Sequence, residues 1–279
     1  MWAASTIFSA KALEDVDPFT ANVIKTFFSS ILMVAITLLA NVNHGWPNPN
    51  GIFYVAIAAI IGYGIGDICL FKSLTLIGVS RSYTIAYTSP LFVMLFASMF
   101  LMEPLLPRYL TGTIIIVLGI MLASARDGRN GKGDSMGILM ALTTSLLWAI
   151  GTIFVAIGLR EVDALMANAF RYPILFLFLF TISRPWKRKL KLNRRNLLFM
   201  ALSGVFGMVL GGVSFLLGVQ LAGVSKATSL SSSSPVWASL MSIAFLNEKF
   251  SWKIILSSVL VVIGIYLSLI HISEPTRPY

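Results

Sequence analysis

Charge is scarce in this chain, and so are the residues that most enzyme and metal sites are built from. Only 11% of its 279 residues are Asp, Glu, Lys or Arg, against about 25% in soluble domains. Cysteine occurs once, as Cys69, which excludes an intrachain disulfide and a cysteine metal cluster. Histidine occurs twice, as His44 and His271. The first stands in a loop and the second near the C-terminus, so no metal-ligating group and no serine–histidine pairing can be assembled inside an apolar segment. No cofactor, no metal and no enzymatic activity are expected. Acidic residues are also few, 11 against 21 basic ones, for a net charge of +10. Such an excess can signal a nucleic-acid partner, but here the basic residues stand in short segments between apolar runs, where positive charge holds loops on the cytoplasmic side of a membrane. Nucleic acid is therefore not expected. What fills the chain instead is apolar: 57% of residues are hydrophobic and the mean hydropathy is +0.86, which marks an integral protein of the cell membrane with the lipid bilayer as its partner.

The chain also says nearly the same thing twice, about 145 residues apart. Trp2, Thr6, Ile7, Phe8, Leu13, Val16, Asp17, Ala21 and Asn22 recur in register as Trp148, Thr152, Ile153, Phe154, Leu159, Val162, Asp163, Ala167 and Asn168. One residue drops out, and the match resumes as Gly62/Gly207, Gly66/Gly211, Gly78/Gly223, Val79/Val224, Ser80/Ser225, Ser89/Ser234, Pro90/Pro235, Glu103/Glu248 and Gly119/Gly264. Two homologous halves in one chain account for this.

A helix needs about 20 apolar residues to cross a hydrocarbon core of about 30 Å, since lipid offers no partner to unpaired backbone groups. Ten segments are predicted, beginning near Met1, Pro18, Gly51, Arg81, Leu106, Met136, Ala164, Asn196, Ser225 and Ser251; the first qualifies through its twin. The expected organisation is a first repeat over residues 1–124, a polar, glycine-rich linker over 125–135, a second repeat over 136–270 and a tail over 271–279. The first repeat reads as shortened at its start, because Trp148 has about a dozen apolar residues before it and Trp2 has only Met1. The tail HISEPTRPY reads as foreign to the fold. Since each half has an odd number of helices, the second must enter from the opposite side. The fold class is thus all-α and integral to the membrane, ten transmembrane helices as two inverted five-helix repeats. The basic cluster from Arg184 to Arg195 places the loop before the eighth helix, and with it the linker, in the cytoplasm. That choice puts roughly 16 basic residues inside against about 5 outside, with both termini outside.

Some soluble-enzyme patterns fall away on context. Gly62, Gly64 and Gly66 imitate part of a dinucleotide fingerprint but sit in an apolar helix with no preceding strand, where small residues serve close helix packing. Gly131 and Lys132 lack the spacing and the following hydroxyl of a phosphate loop.

The residues that are costly in lipid carry more. Asp67, in the third helix, is either a site residue facing a wet cavity or a helix-end charge paired with Lys72 or water; its mate in the second half is Gly212. Lys25 and Arg171 stand at matching places in the second and seventh helices. They either bind an anionic group in a central cavity, or snorkel to the interface or cap their own helices against the Asp17 or Asp163 turn. Pro90 and Pro235 follow Thr88-Ser89 and the run Ser231 to Ser234, including Ser233 and Ser234. A proline frees a backbone carbonyl that nearby hydroxyls can re-satisfy, so matched helix breaks point to a transport site, with a plain structural kink as the alternative. Tyr63, Tyr83, Tyr87, Trp148, Tyr172 and Trp237 either line such a cavity or serve as packing and interface anchors. Glu103 and Glu248 read as boundary charges at helix ends, beside Arg108 and beside Lys249 and Lys253.

Taken together, two five-helix repeats, each with a tryptophan in its first helix, Lys25 or Arg171 in its second, a glycine-rich third leading to Gly-Val-Ser, then Ser-Pro, a helix-ending Glu and Gly119 or Gly264 in its last, resemble the EamA-type permeases of the drug/metabolite transporter superfamily. The resemblance covers nearly all of the chain. It implies a secondary transporter of small metabolites such as amino acids, working by alternating access with its solute site between the halves and with a proton as candidate coupling ion. It also implies both termini in the cytoplasm, opposite to the loop charges. An antiporter of phosphorylated sugars or nucleotide sugars is the alternative within transport, and would need several cavity-facing cations. A membrane scaffold or lipid-handling enzyme is the alternative outside it.

Overall fold

The computed structural model describes residues 1–13, 15–40, 47–77, 82, 85–103, 107–124, 134–183, 193–246 and 252–269. Tyr83, Gly78-Val79-Ser80, Arg108, Glu248, Lys249, the linker up to 133, the basic cluster up to 192 and the tail lie outside the described residues or have side chains outside them, as does the side chain of Pro235. Among the described residues every regular element is helical, and the segments assemble as ten spans. The first half comprises α1 (Trp2–Ala12), α2 (Pro18–Leu39), α3 in three pieces (Pro49–Ala58, Ala59–Ile65, Gly66–Ile77), α4 (Ser89–Phe100) and α5 (Pro107–Ser124). The second comprises α6 (Asp134–Gly158), α7 (Ala164–Ser183), α8 in three pieces (Arg194–Gly204, Val205–Leu210, Gly211–Ala222), α9 in two (Val224–Ser231, Ser234–Leu246) and α10 (Trp252–Leu269). Five of these helices are long and apolar enough to cross a bilayer by length and composition, with shorter apolar helices at Ser89–Phe100 and Leu110–Gly119. Their outer faces carry exposed Leu38, Leu39, Phe53, Leu177, Leu221 and Val262. A continuous apolar exterior of this kind is stable against lipid and not against water.

The duplication is visible in the starts of the helices. Asp17 accepts a hydrogen bond from the Thr20 amide at 3.1 Å and opens α2, with Pro18 in its first turn. Asp163 does the same for α7, accepting from the amides of Leu165 at 2.9 Å and Met166 at 3.1 Å. Asn48 caps α3 and Asn193 caps α8. Each side-chain oxygen satisfies one or, for Asp163, two of the amides that a helix start leaves without a partner.

One feature of α3 and α8 has no counterpart in the expectations from sequence. Both helices are π-helical in the middle, at Ala59–Ile65 and Val205–Leu210, which are repeat-equivalent. A π turn fits an extra residue into the coil and turns the following side chains and carbonyls to a new direction.

The halves interlock instead of standing side by side. The repeat equivalents α2 and α7 pack against each other, as do α5 and α10, and α4 meets the first piece of α9. α3 packs on α6 while α8 packs on α1, so each third helix crosses the first helix of the other half. This is the pattern of a pseudo-twofold axis between inverted repeats. The crossings are close because the residues are small: a Cβ on Gly151 would lie 2.9 Å from the Cα of Gly62. At the equivalent crossing Gly207 faces Ser5.

Candidate functional site: a cavity between the halves

The matched prolines sit just past helix breaks. Tyr87 and Thr88 form a turn before Ser89-Pro90, and Ser232 and Ser233 form one before Ser234-Pro235. The hydroxyls do what lipid cannot. Thr88 donates to the Ile85 carbonyl at 2.7 Å, and Ser231, Ser232 and Ser233 donate to the carbonyls of Thr228 and Leu230 at 2.7–2.9 Å. Carbonyls released by the breaks thus regain partners inside the protein. The breaks face a cavity of about 550 Å³ whose wall includes Ser89, Pro90, Thr228, Ser231 and Ser232.

Of the residues singled out by sequence, Lys25, Tyr63, Asp67, Tyr87, Trp148, Arg171 and Tyr172 also lie on this wall. Ser233 and Ser234 do not, the lining passing instead to Ser231 and Ser232 two residues earlier. Trp237 is exposed on the outside of α9, where it suits a lipid-facing anchor. Lys72 is exposed and Lys226 half-buried, and neither lines the cavity.

The two repeat tryptophans show how the halves diverged. Each lies against a glycine of the other half's third helix, Trp2 on Gly211 and Trp148 on Gly66. Trp2 donates its indole N–H to the Gly207 carbonyl at 2.8 Å, a buried backbone group of the π segment. Trp148 donates to the Asp67 carboxylate at 3.0 Å, and its ring forms a T-shaped pair with that of Tyr87, centroids 5.9 Å apart. Asp67 is therefore not paired along its own helix with Lys72. It faces Lys25 from α2 across the cavity and is oriented by α6.

Opposite Asp67's counterpart, the site is built differently. Gly212 leaves room for the Tyr172 hydroxyl, which donates to the Met208 carbonyl in the π segment of α8. Arg171, the preceding residue, is 2% exposed and stacks its guanidinium over Tyr63 at 4.5 Å from the ring centroid and over Tyr172 at 5.3 Å. It does not snorkel. A further polar strip was not singled out from sequence: Ser5 and Ser9 of α1 share hydrogen bonds with the Ser203 hydroxyl at 2.9 and 2.7 Å, and all three line the cavity. Their repeat mates are Gly151, Val155 and Ala58, so the signal lay in where the copies differ.

The two ends of the cavity also differ. The lining runs down α1 to Ala12 and Leu13 and reaches Ala21 and Met200, with Leu13 38% exposed. At the inverted equivalent, Leu159 is 8% exposed and packs with Val155, Val162, Ala164, Ala167, Leu216 and Val224 in the main apolar core. Gln220 pins this end, donating to the Leu159 carbonyl at 3.2 Å. Glu103 closes it. Its carboxylate accepts from the amides of Val224 at 2.8 Å and Ser225 at 3.2 Å, capping the first piece of α9 from the other half. Gly223, at φ +87, permits the approach. Glu103 is thus more than a boundary charge beside a basic neighbour, since it ties one half to the other. Among the described residues no group of three His, Cys, Asp or Glu side chains could hold a metal ion.

Comparison with known proteins agrees with this architecture. The chain is 24% identical to an uncharacterised transporter of Archaeoglobus fulgidus over 96% of its own length and 94% of the relative's. It is 25% identical to the uncharacterised transporter YvbV of Bacillus subtilis, over 96% and 87%. A WAT1-related chloroplastic protein of Arabidopsis thaliana, At3g02690, is 22% identical over 95% of this chain and 66% of that one. A solved crystal structure superposes with a TM-score of 0.81 at 16% identity, covering 96% of this chain and 93% of the other, and shows the same fold. The profile of the EamA-like transporter family matches twice, over residues 1–125 and 135–270. This multi-pass membrane protein is a transporter and not an enzyme, and it belongs to the EamA-like transporter family.

Proposed function

We propose that the protein is a secondary permease that carries small metabolites, amino acids among them, out of the cytoplasm by alternating access through the cavity between its halves. One observation carries this reading: two inverted copies of the same helices enclose a cavity that reaches the surface at one end and is packed shut at the symmetry-related end. An exchange of those two packings would present the same wall to the other side. The reaching end, at Leu13 and Ala21, lies near the start of α8 at Met200, and the basic residues from Arg184 to Arg195 stand just before that start in the sequence. By the distribution of positive charge this is the cytoplasmic face, which suits the loading step of an exporter. A cavity of about 550 Å³ with a largely aromatic and apolar wall and a few charged groups falls in the range of small-molecule sites. Phosphorylated sugars fit less well, because Asp67 already faces one of the two lining cations.

The test is counterflow in proteoliposomes loaded with a panel of amino acids and related metabolites. Saturable exchange of at least one labelled solute is expected. Exchange no faster than in empty liposomes for the whole panel overturns the reading. Asp67 is the proposed proton handle, so Asp67→Asn should abolish accumulation driven by a pH gradient while counterflow persists. Gradient-driven accumulation that survives the substitution removes that role.

A further inference from the structure

The two matched cations of the cavity are not in the same situation. Lys25 is half-buried and faces the Asp67 carboxylate, which Trp148 holds in place. Arg171 is almost wholly buried on the cavity wall, yet among the described residues it meets no carboxylate, and its buried Nε has no hydrogen-bond partner. Its contacts are with the faces of Tyr63 and Tyr172. Stacking steadies the guanidinium plane but uses none of its N–H donors, which radiate in that plane. A buried cation of this kind is left with an unfilled, flat donor fork, the geometry that a carboxylate completes with two parallel hydrogen bonds.

The net charge of the wall sharpens the partner. Its described Lys, Arg and acidic members are Lys25, Arg171 and Asp67, so one positive charge remains unbalanced. A solute with a single negative group neutralises it. Asp67, already held by Trp148 and faced by Lys25, offers no comparable vacancy to an ammonium group. Trp2, Phe215, Trp148 and Tyr87 surround the remaining space with aromatic rings.

We infer that Arg171 is the anion subsite of the cavity, taking the single carboxylate of an otherwise apolar solute, and that the α-ammonium group of an amino acid is dispensable for binding. This rests on the proposed permease reading and narrows its substrate class. The decisive comparison uses the full chain in detergent and the quenching of tryptophan fluorescence by matched probes: L-phenylalanine, 3-phenylpropionate, which lacks the amine, L-phenylalaninamide, which lacks the carboxylate, and phenyl phosphate, which carries a second charge.

3-Phenylpropionate should bind at least as tightly as L-phenylalanine, whose ammonium group leaves the wall's positive charge unbalanced, and the amide and the phosphate at least about tenfold more weakly than either acid. Arg171→Gln should erase the preference for acid over amide, and Lys25→Gln should leave it. Arg171→Lys, which keeps the charge and loses the fork, should weaken acid binding by several fold. The inference is overturned if neither acid binds better than the amide, or if the preference survives in a cooperatively melting Arg171→Gln protein. It is equally overturned if Lys25→Gln abolishes the preference, or if Arg171→Lys binds the acids as the wild type does. Binding is read here without a membrane, so an absence of counterflow sinks the permease reading and leaves the subsite standing. Intact counterflow without acid preference sinks the subsite alone.

Discussion

The hydroxyl of Tyr172 occupies the space that a methyl group on Gly212 would need. The contact spans α7 and α8, and through it the Met208 carbonyl in the π segment gains its hydrogen bond. Gly212→Ala should therefore expel the hydroxyl and lower stability by about 1–3 kcal/mol, combining overpacking with a lost buried hydrogen bond. Tyr172→Phe should recover part of that loss in the Gly212→Ala background, although alone it destabilises. Thermal melts of the four proteins in detergent, read as a double-mutant cycle, check the coupling. Strict additivity would mean that the two residues do not share this space.

A second pair of substitutions separates glycines that matter from one that does not. A methyl on Gly151 would meet the Gly62 backbone at 2.9 Å, whereas one on Gly218 would meet the Ala227 side chain at an ordinary 3.5 Å. Gly151→Ala is expected to cost about 1–3 kcal/mol and Gly218→Ala to stay within about 0.5 kcal/mol of the wild type. Equal melting points for the two variants would contradict the backbone contact between α3 and α6.

Glu103 caps a helix that belongs to the other half, so its loss should be felt there. Glu103→Ala should destabilise the start of α9 by about 0.5–2 kcal/mol, the range for removing a helix cap. Hydrogen exchange at Val224 and Ser225 should rise correspondingly, with little change at Ala141 or Ala149 in α6. Protection that falls evenly through the whole protein would assign Glu103 a global role instead of a local one.

The unequal ends of the cavity can be read by thiol labelling once Cys69 is replaced by alanine. A cysteine at Leu13 should react with a water-soluble maleimide at least about tenfold faster than one at Leu159, because only the first is within reach of solvent. A solute that drives the transporter to its other state should narrow the gap. Equal labelling rates without solute would contradict the asymmetry.

Much of this architecture was legible in the chain because lipid removes options. Apolar length set the spans, and odd repeat parity set their inversion. Costly residues such as Asp67, Lys25 and Arg171 had few places to go, and the structure puts them around one cavity. Other features depended on partners that a linear reading does not supply. The stacking of Arg171 on Tyr63 joins α7 to α3, and nothing in the neighbourhood of either residue announces it. The reach of Glu103 to Val224 crosses between halves, to a partner that the basic residues beside it in sequence do not suggest. The π segments are a matter of backbone register, which composition records only faintly through Gly62-Tyr63-Gly64 and Gly207. Ser5, Ser9 and Ser203 carry little signal because serine is cheap in a membrane helix, and only their mismatch with Gly151, Val155 and Ala58 sets them apart.

That mismatch has a mechanical side. Where α3 crosses α6, bare backbone rides on bare backbone at Gly62 and Gly151, with no side chains to withdraw when the crossing angle changes. Where α8 crosses α1, Ser5 and Ser9 are fastened to Ser203 by hydroxyls that must let go first. At these matched positions a change of crossing angle breaks hydroxyl contacts on one side of the axis and none on the other, so the hydrogen bonds that resist it at the first crossing are those from Thr144 to the Gly66 carbonyl and from Trp148 to Asp67.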